Sequence, residues 1–206
     1  ARQQNLSIVI SGDTAGWLMP GGCTSNQSGG LLRRATYVAE LKKTGDLIYL
    51  DAGGAPGGAS AYHREKVEAI LAGEKRMGLA AHNLGKAELA LGAPYLREAA
   101  KRLGVPFLCA NATDAAGQPV APAMIELSGG GRKIAVVGVV SPRSATSGIK
   151  ITDPKQAILS ALGNGKKSDR SLIVLAYLPE DELSTLASSL PEADAIIGGP
   201  TGQALS

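Results

Sequence analysis

LSIVISGDTAG (residues 6–16) and LIYLDAGGAPGG (residues 47–58) share one plan: an apolar run, an aspartate at or just past its end, and a glycine-containing turn. Neither run alternates cleanly between apolar and polar residues. Each therefore reads as a strand buried on both faces, as in a parallel sheet. Between them, GGLLRRATYVAELKKTG (residues 29–45) sets Leu31, Ala35, Val38 and Leu41 at helical spacing, with Lys42 and Lys43 following and Gly45 closing the segment. Strand, loop, helix, strand over so short a stretch implies parallel pairing and a right-handed crossover. The loop from Thr14 to Gly30 is long for such a link and carries Trp17, Cys23 and Asn26. Loops of that length often carry function.

The plan repeats along the chain. Tyr62, Val67, Ile70 and Leu71 mark a second helix, Leu79 to His82 a short strand, and Pro94 to Leu103 a further helix with Tyr95, Leu96, Ala99 and Leu103 facing inward. VPFLCAN reads as a strand ending at Asn111. AMIEL and RKIAVVGVVS flank the turn SGGGRK and predict a hairpin. Asp153 and Pro154 suit the N-cap and first turn of a helix over DPKQAILSAL. SLIVLAYL predicts a strand, PEDELSTLASSL an amphipathic helix and ADAIIGG a last strand. The expectation is one α/β domain over residues 1–206, a layered sandwich of mixed, largely parallel sheets flanked by helices, forming part of a longer chain.

Composition narrows the function classes. Hydrophobic residues make up 44% of the 206, enough for a sizeable core, and with one Phe and one Trp that core must be mostly aliphatic. The net charge of +3 is spread along the chain, so neither a nucleic-acid partner nor a basic recognition module is indicated. The pairs Arg33-Arg34 and Lys101-Arg102 read as solvated helix surface. No apolar run reaches the roughly 18 residues of a bilayer span. Two histidines rule out a zinc site with three or more imidazoles. GGAPGGAS lacks the Lys-Ser/Thr of a phosphate-binding P-loop.

Polar residues gather where the predicted strands end: Asp13, Asp51, Asn83, Asn111 and Tyr177. Ligand sites of open α/β sheets form at such ends. Asp13 and Asp51 suit either a divalent cation or the capping of turns, and the sequence leaves both open. His63 reads as surface, and His82 as a candidate base or ligand. Cys23, in the glycine-rich loop, is a candidate reactive thiol. Cys109, within a predicted strand, reads as a buried small hydrophobe. A Cys23–Cys109 disulfide fits an exported protein.

Taken in order, these segments resemble the calcineurin-like metallophosphoesterases, and within them the periplasmic 5'-nucleotidase and thiosulfohydrolase group. LSIVISGDTAG resembles the first strand with its Asp-x-His-Gly motif, IYLDAGGAPGG the second with Asp-Ala-Gly-Asp, NLGKAELALG the Gly-Asn-His-Glu region, and AIIGGPTG the strand ending in Gly-Gly-His-Thr-His. GCTSNQSGGL around Cys23, Asn26 and Gln27 resembles a branch carrying cysteine or selenocysteine in this loop. The family's two-metal ligands are mostly replaced: Ala15, Gly54, Lys86, Ala87, Tyr177, Pro200 and Gly202 stand at ligand positions, while Asp13, Asp51 and Glu88 remain.

The resemblance therefore implies a degenerate domain. It would be non-catalytic, with no cofactor and no metal beyond weak candidates at Asp13 and Asp51. It would bind a small anion or a partner protein through Asp13, Asn26, Asp51, Asn83, Lys86, Glu88 and Asn111, in a periplasmic or otherwise exported, redox-linked system. The alternatives are a divergent enzyme using Cys23 and a residual metal-dependent phosphoester hydrolase.

Overall fold

A computed structural model of the chain describes residues 5–21, 29–163 and 170–200. Two four-stranded sheets lie face to face. The first is wholly parallel, in the order β1 (Leu6–Ser11), β2 (Asp46–Asp51), β3 (Leu79–Asn83), β4 (Phe107–Leu108). The second has the order β10 (Ala195–Gly199), β9 (Arg170–Tyr177), β7 (Arg132–Val140), β6 (Met124–Gly129), parallel except for the β6–β7 hairpin. A two-stranded antiparallel ribbon pairs β5 (Ala112–Asp114) with β8 (Ile149–Ile151). The helices are α1 (Leu31–Lys42), α2 (Ala61–Met77), α3 (Lys86–Leu89), α4 (Ala93–Leu103), α5 (Pro154–Leu162) and α6 (Glu180–Ser189). None is long and apolar enough to cross a membrane.

Strand alternation builds three apolar layers. Ile48 and Leu50 of β2, with Ala81 and Leu108, meet Ile134, Val136, Ile173 and Leu175 between the sheets. The intervening Tyr49 points the other way, toward Val38, Val67, Ile70 and Leu96 of the outer helices. Leu172, Val174 and Ala176 of β9 face α5 and α6 through Ile158 and Leu186. Strands with both faces covered need continuous apolar runs, which is why β2, β7 and β9 show so little polar alternation. The expected sandwich is thus present. One boundary differs: β4 stops at Leu108, and the Cys109 amide bonds to the Pro122 carbonyl, so this thiol lies beyond the strand.

Gly138 sets how closely the sheets approach. A Cβ there would collide with the side-chain oxygen of Asn83 and stand 3.0 Å from both the Cβ and the carbonyl oxygen of Leu108. Overpacking of this kind costs about 1–3 kcal/mol. Gly138→Ala is expected to lower the urea midpoint accordingly, and an unchanged midpoint would show that the inter-sheet layer yields freely.

Candidate functional site

Register brings the strand ends into two rows. In the first sheet Ser11, Asp51 and His82 are successive cross-strand partners; in the second, Val140, Tyr177 and Gly199 are. The loop after β1 then runs along the loop after β2, with the amides of Asp13, Ala15 and Gly16 donating to the carbonyls of Gly53, Gly54 and Ala55 at 2.8 Å each. Asp13 and Ala15 hold positive φ (49° and 47°), a backbone state uncommon for residues with side chains and frequent at functional turns.

Beneath these loops lies a largely buried network of charges. His82 is fully buried; its Nδ1 is 2.9 Å from Glu74 Oε2 and its Nε2 is 3.1 Å from Glu88 Oε1. With a carboxylate at each ring nitrogen, both nitrogens act as donors and the ring is an imidazolium. Burial alone would lower its pKa, but the charges of Asp51 and Glu74 and the bonds to Glu74 and Glu88 hold it well above 6.5. Glu74 is pushed up from 4.5 to about 7, first by burial and then by Asp51, against the pull of His82 and Arg34. Arg34 enters from α1. Its Nη1 donates to Glu74 Oε1 at 3.0 Å and its Nη2 to Thr14 Oγ1 at 2.7 Å. Asp51 accepts from Ser11 Oγ and, at 2.8 Å, from the Gly53 amide. Glu88 accepts from the amides of Ala55 (2.8 Å), Gly85 (2.9 Å) and Gly54 (3.1 Å).

The residues expected at the site divide into four groups. Asp51 and Glu88 belong to the buried network. Asn83 and Asn111 are buried but tie backbone together: the Asn83 amide donates to the carbonyls of Ala52 and Val139, and that of Asn111 to those of Val140 and Thr152. Asp13 is half-buried at a cleft of about 210 Å³ whose walls include Ser11, Gly12, Ala52, Gly53 and Gly198, while Lys86 is exposed. Cys23 and Asn26 lie outside the described residues, and Cys109 is a free thiol that burial pushes up to about 12.

Two network members escape a reading of the sequence. Arg34 reads there as solvated surface, yet its side chain is only 18% exposed. Both it and Glu74 occupy buried stripes, Arg34 between Leu31 and Val38 and Glu74 between Ile70 and Met77. A charge at helical spacing within an apolar stripe is the available signal.

No protein-family model and no curated protein sequence matches the chain. Solved structures do. The 5'-nucleotidase precursor from Thermus thermophilus superposes over 93% of this chain with a TM-score of 0.82 and 24% identity. Calcineurin-like phosphoesterase YfkN from Bacillus subtilis covers 96% at 0.74 and 17%, and the sulfate thiohydrolase SoxB from Thermus thermophilus 94% at 0.74 and 17%. The fold is that of the calcineurin-like metallophosphoesterases. This chain spans 41% of the nucleotidase, 73% of YfkN and 47% of SoxB.

The metallophosphoesterase fold implies a metal pair, and the residues here do not fit one. Tyr177, at an expected histidine position, donates its hydroxyl to Asp13 Oδ1 at 2.9 Å. A Cβ on Gly54, at the bridging-aspartate position, would lie 2.5 Å from Asp13 Oδ1 and 3.0 Å from the Tyr177 hydroxyl. The Tyr177 ring also lies against Gly53, Gly85 and Gly199. A phenol and its acceptor thus fill the space beside Gly54. What remains is a degenerate site with one cluster of metal-ligating type among the described residues, Asp51, Glu74 and His82.

The network makes stability depend on pH. Glu74 and His82 both bind protons more tightly in the folded state than unfolded. Their contribution is complete below the unfolded values and is lost as pH rises through the folded ones. The urea midpoint is expected to fall as pH rises from about 5 to about 8, and Glu74→Gln to flatten that slope. A midpoint that rises over this range would contradict the assignment.

Proposed function

We propose that this is a non-catalytic metallophosphoesterase-fold domain that binds a partner protein at the mouth of the former metal cleft, in an exported, redox-linked system. The observation carrying it is Tyr177. Its ring and its bond to Asp13 fill the space beside Gly54, at positions that the resemblance gives to metal ligands, and Ala15, Gly54 and Ala87 offer no ligand atoms in their side chains. Without metals to activate water and offset charge on a transferring phosphoryl group, the fold's hydrolytic route has no support.

A protein partner suits the mouth better than a small anion. Trp17 (65% exposed), Met19 (65%) and Leu32 (69%) stand out around the loop after β1 and the start of α1. Aromatic residues and methionine are enriched in protein interfaces. Asp13, Lys86 and Trp17 would then make contact, with Asp51, Asn83, Glu88 and Asn111 holding the loops in place. The exported, redox-linked setting rests on the resemblance of the Cys23 loop.

Purified protein, incubated with manganese and zinc and freed of unbound ions, is expected to retain far less than one metal per chain. It is also expected to hydrolyse p-nitrophenyl phosphate and nucleoside monophosphates at the rate of buffer. Stoichiometric metal together with turnover that Asp13→Asn abolishes would restore the hydrolase reading.

A further inference from the structure

Asp51, Glu74 and His82 offer ligand atoms that all lie within 4.8 Å of one another, and none of the three side chains touches solvent. Carboxylate oxygens and an imidazole nitrogen are both zinc ligand types, and three of them leave a fourth position for water. The second sphere suits it as well. Glu88 holds Nε2 of His82 at 3.1 Å, which turns Nδ1 toward Glu74 and Asp51; a carboxylate behind the imidazole is how ligating histidines are oriented.

A cation is nevertheless already present. Arg34 Nη1 is 3.0 Å from Glu74 Oε1 and 3.8 Å from Asp51 Oδ2. Its side chain is the part of this cluster that reaches solvent. The guanidinium therefore supplies positive charge between the two carboxylates and also closes the path by which an ion would enter.

We infer that Arg34 is the resident cation of a latent divalent-metal site formed by Asp51, Glu74 and His82, of which only Asp51 belongs to the family motifs, and that the domain holds these carboxylates with an arginine where another protein would use a metal. Removing the guanidinium leaves two buried carboxylates short of a counter-charge and vacates the space it fills between them and solvent. A divalent ion entering it restores the balance, and the His82 Nδ1 proton leaves to solvent as the metal takes its lone pair. Arg34→Lys keeps a charge but loses the planar fork that reaches Glu74 and Thr14 together.

The test compares wild type, Arg34→Ala, Arg34→Lys and the double variant Arg34→Ala/Glu74→Gln, each dialysed against zinc and then against metal-free buffer. Elemental analysis should find about one zinc per chain in Arg34→Ala, and well under that in the other three. Cobalt should give Arg34→Ala a visible ligand-field spectrum, and zinc should raise its thermal midpoint above the value in EDTA. A folded Arg34→Ala that holds no more metal than the double variant overturns the proposal, as does a wild type that holds as much. If Arg34→Ala does not fold in EDTA, it is refolded from urea with and without zinc. Recovery of the wild-type circular dichroism spectrum only with zinc supports the latent site, and recovery in neither overturns it.

Discussion

Glu88 is the group on which the rest of the site depends. One buried carboxylate accepts amides from the turn after β2 and from the start of α3, and a ring nitrogen from the end of β3. A backbone amide sealed from water needs a partner, and three of them here share one side chain. Take the carboxylate away and those donors, together with a charged imidazole, are left unmatched in the interior. Losses of that kind typically reach about 3–5 kcal/mol. The loops that place Asp13 and Gly54 are therefore held by Glu88, directly at Gly54 and through it at Asp13.

This explains which family residues survive in a chain whose metal ligands have mostly gone. Glu88 and Asp51 serve the backbone of the second loop directly, through Gly54, Ala55 and Gly53, so the fold needs them whether or not a metal binds. Asn83, at the end of β3, and Asn111, between β4 and β5, act in the same way, each donating to a carbonyl of β7. Ala15, Gly54 and Tyr177 stand at positions where the resemblance expects metal ligands. The glycine and the tyrosine depend on each other, because any Cβ on Gly54 would crowd the Asp13–Tyr177 pair.

The architecture is legible in the sequence because sheets buried on both faces require uninterrupted apolar runs, and nearly every such run is a strand. The short β4 reads as too long because VPFLCAN stays apolar past the point where the chain turns away to meet Pro122. The site is legible only in part. Asp51, Glu88 and the two asparagines sit at strand ends or in a recognisable motif. Arg34 and Glu74 come from helices, 40 residues apart, and meet only because α1 and α2 pack together on the face of the first sheet. A charged residue in a helix is ordinarily read as solvated, and only its place on the apolar stripe marks it as an inward-facing group.

Such a site persists because its charges are balanced from within. Asp51, Glu74 and Glu88 lie together in the interior, where mutual repulsion and lost hydration would favour protonation or unfolding. Their compensation is internal: an imidazolium between Glu74 and Glu88, a guanidinium between Glu74 and Asp51, and a proton held tightly enough that Glu74 titrates near neutrality. The two cationic side chains cannot leave as an exchangeable metal ion can. A domain neutralised in this way keeps its loops ordered whatever the supply of metal, and that permanence suits a surface that is recognised more than a centre that reacts.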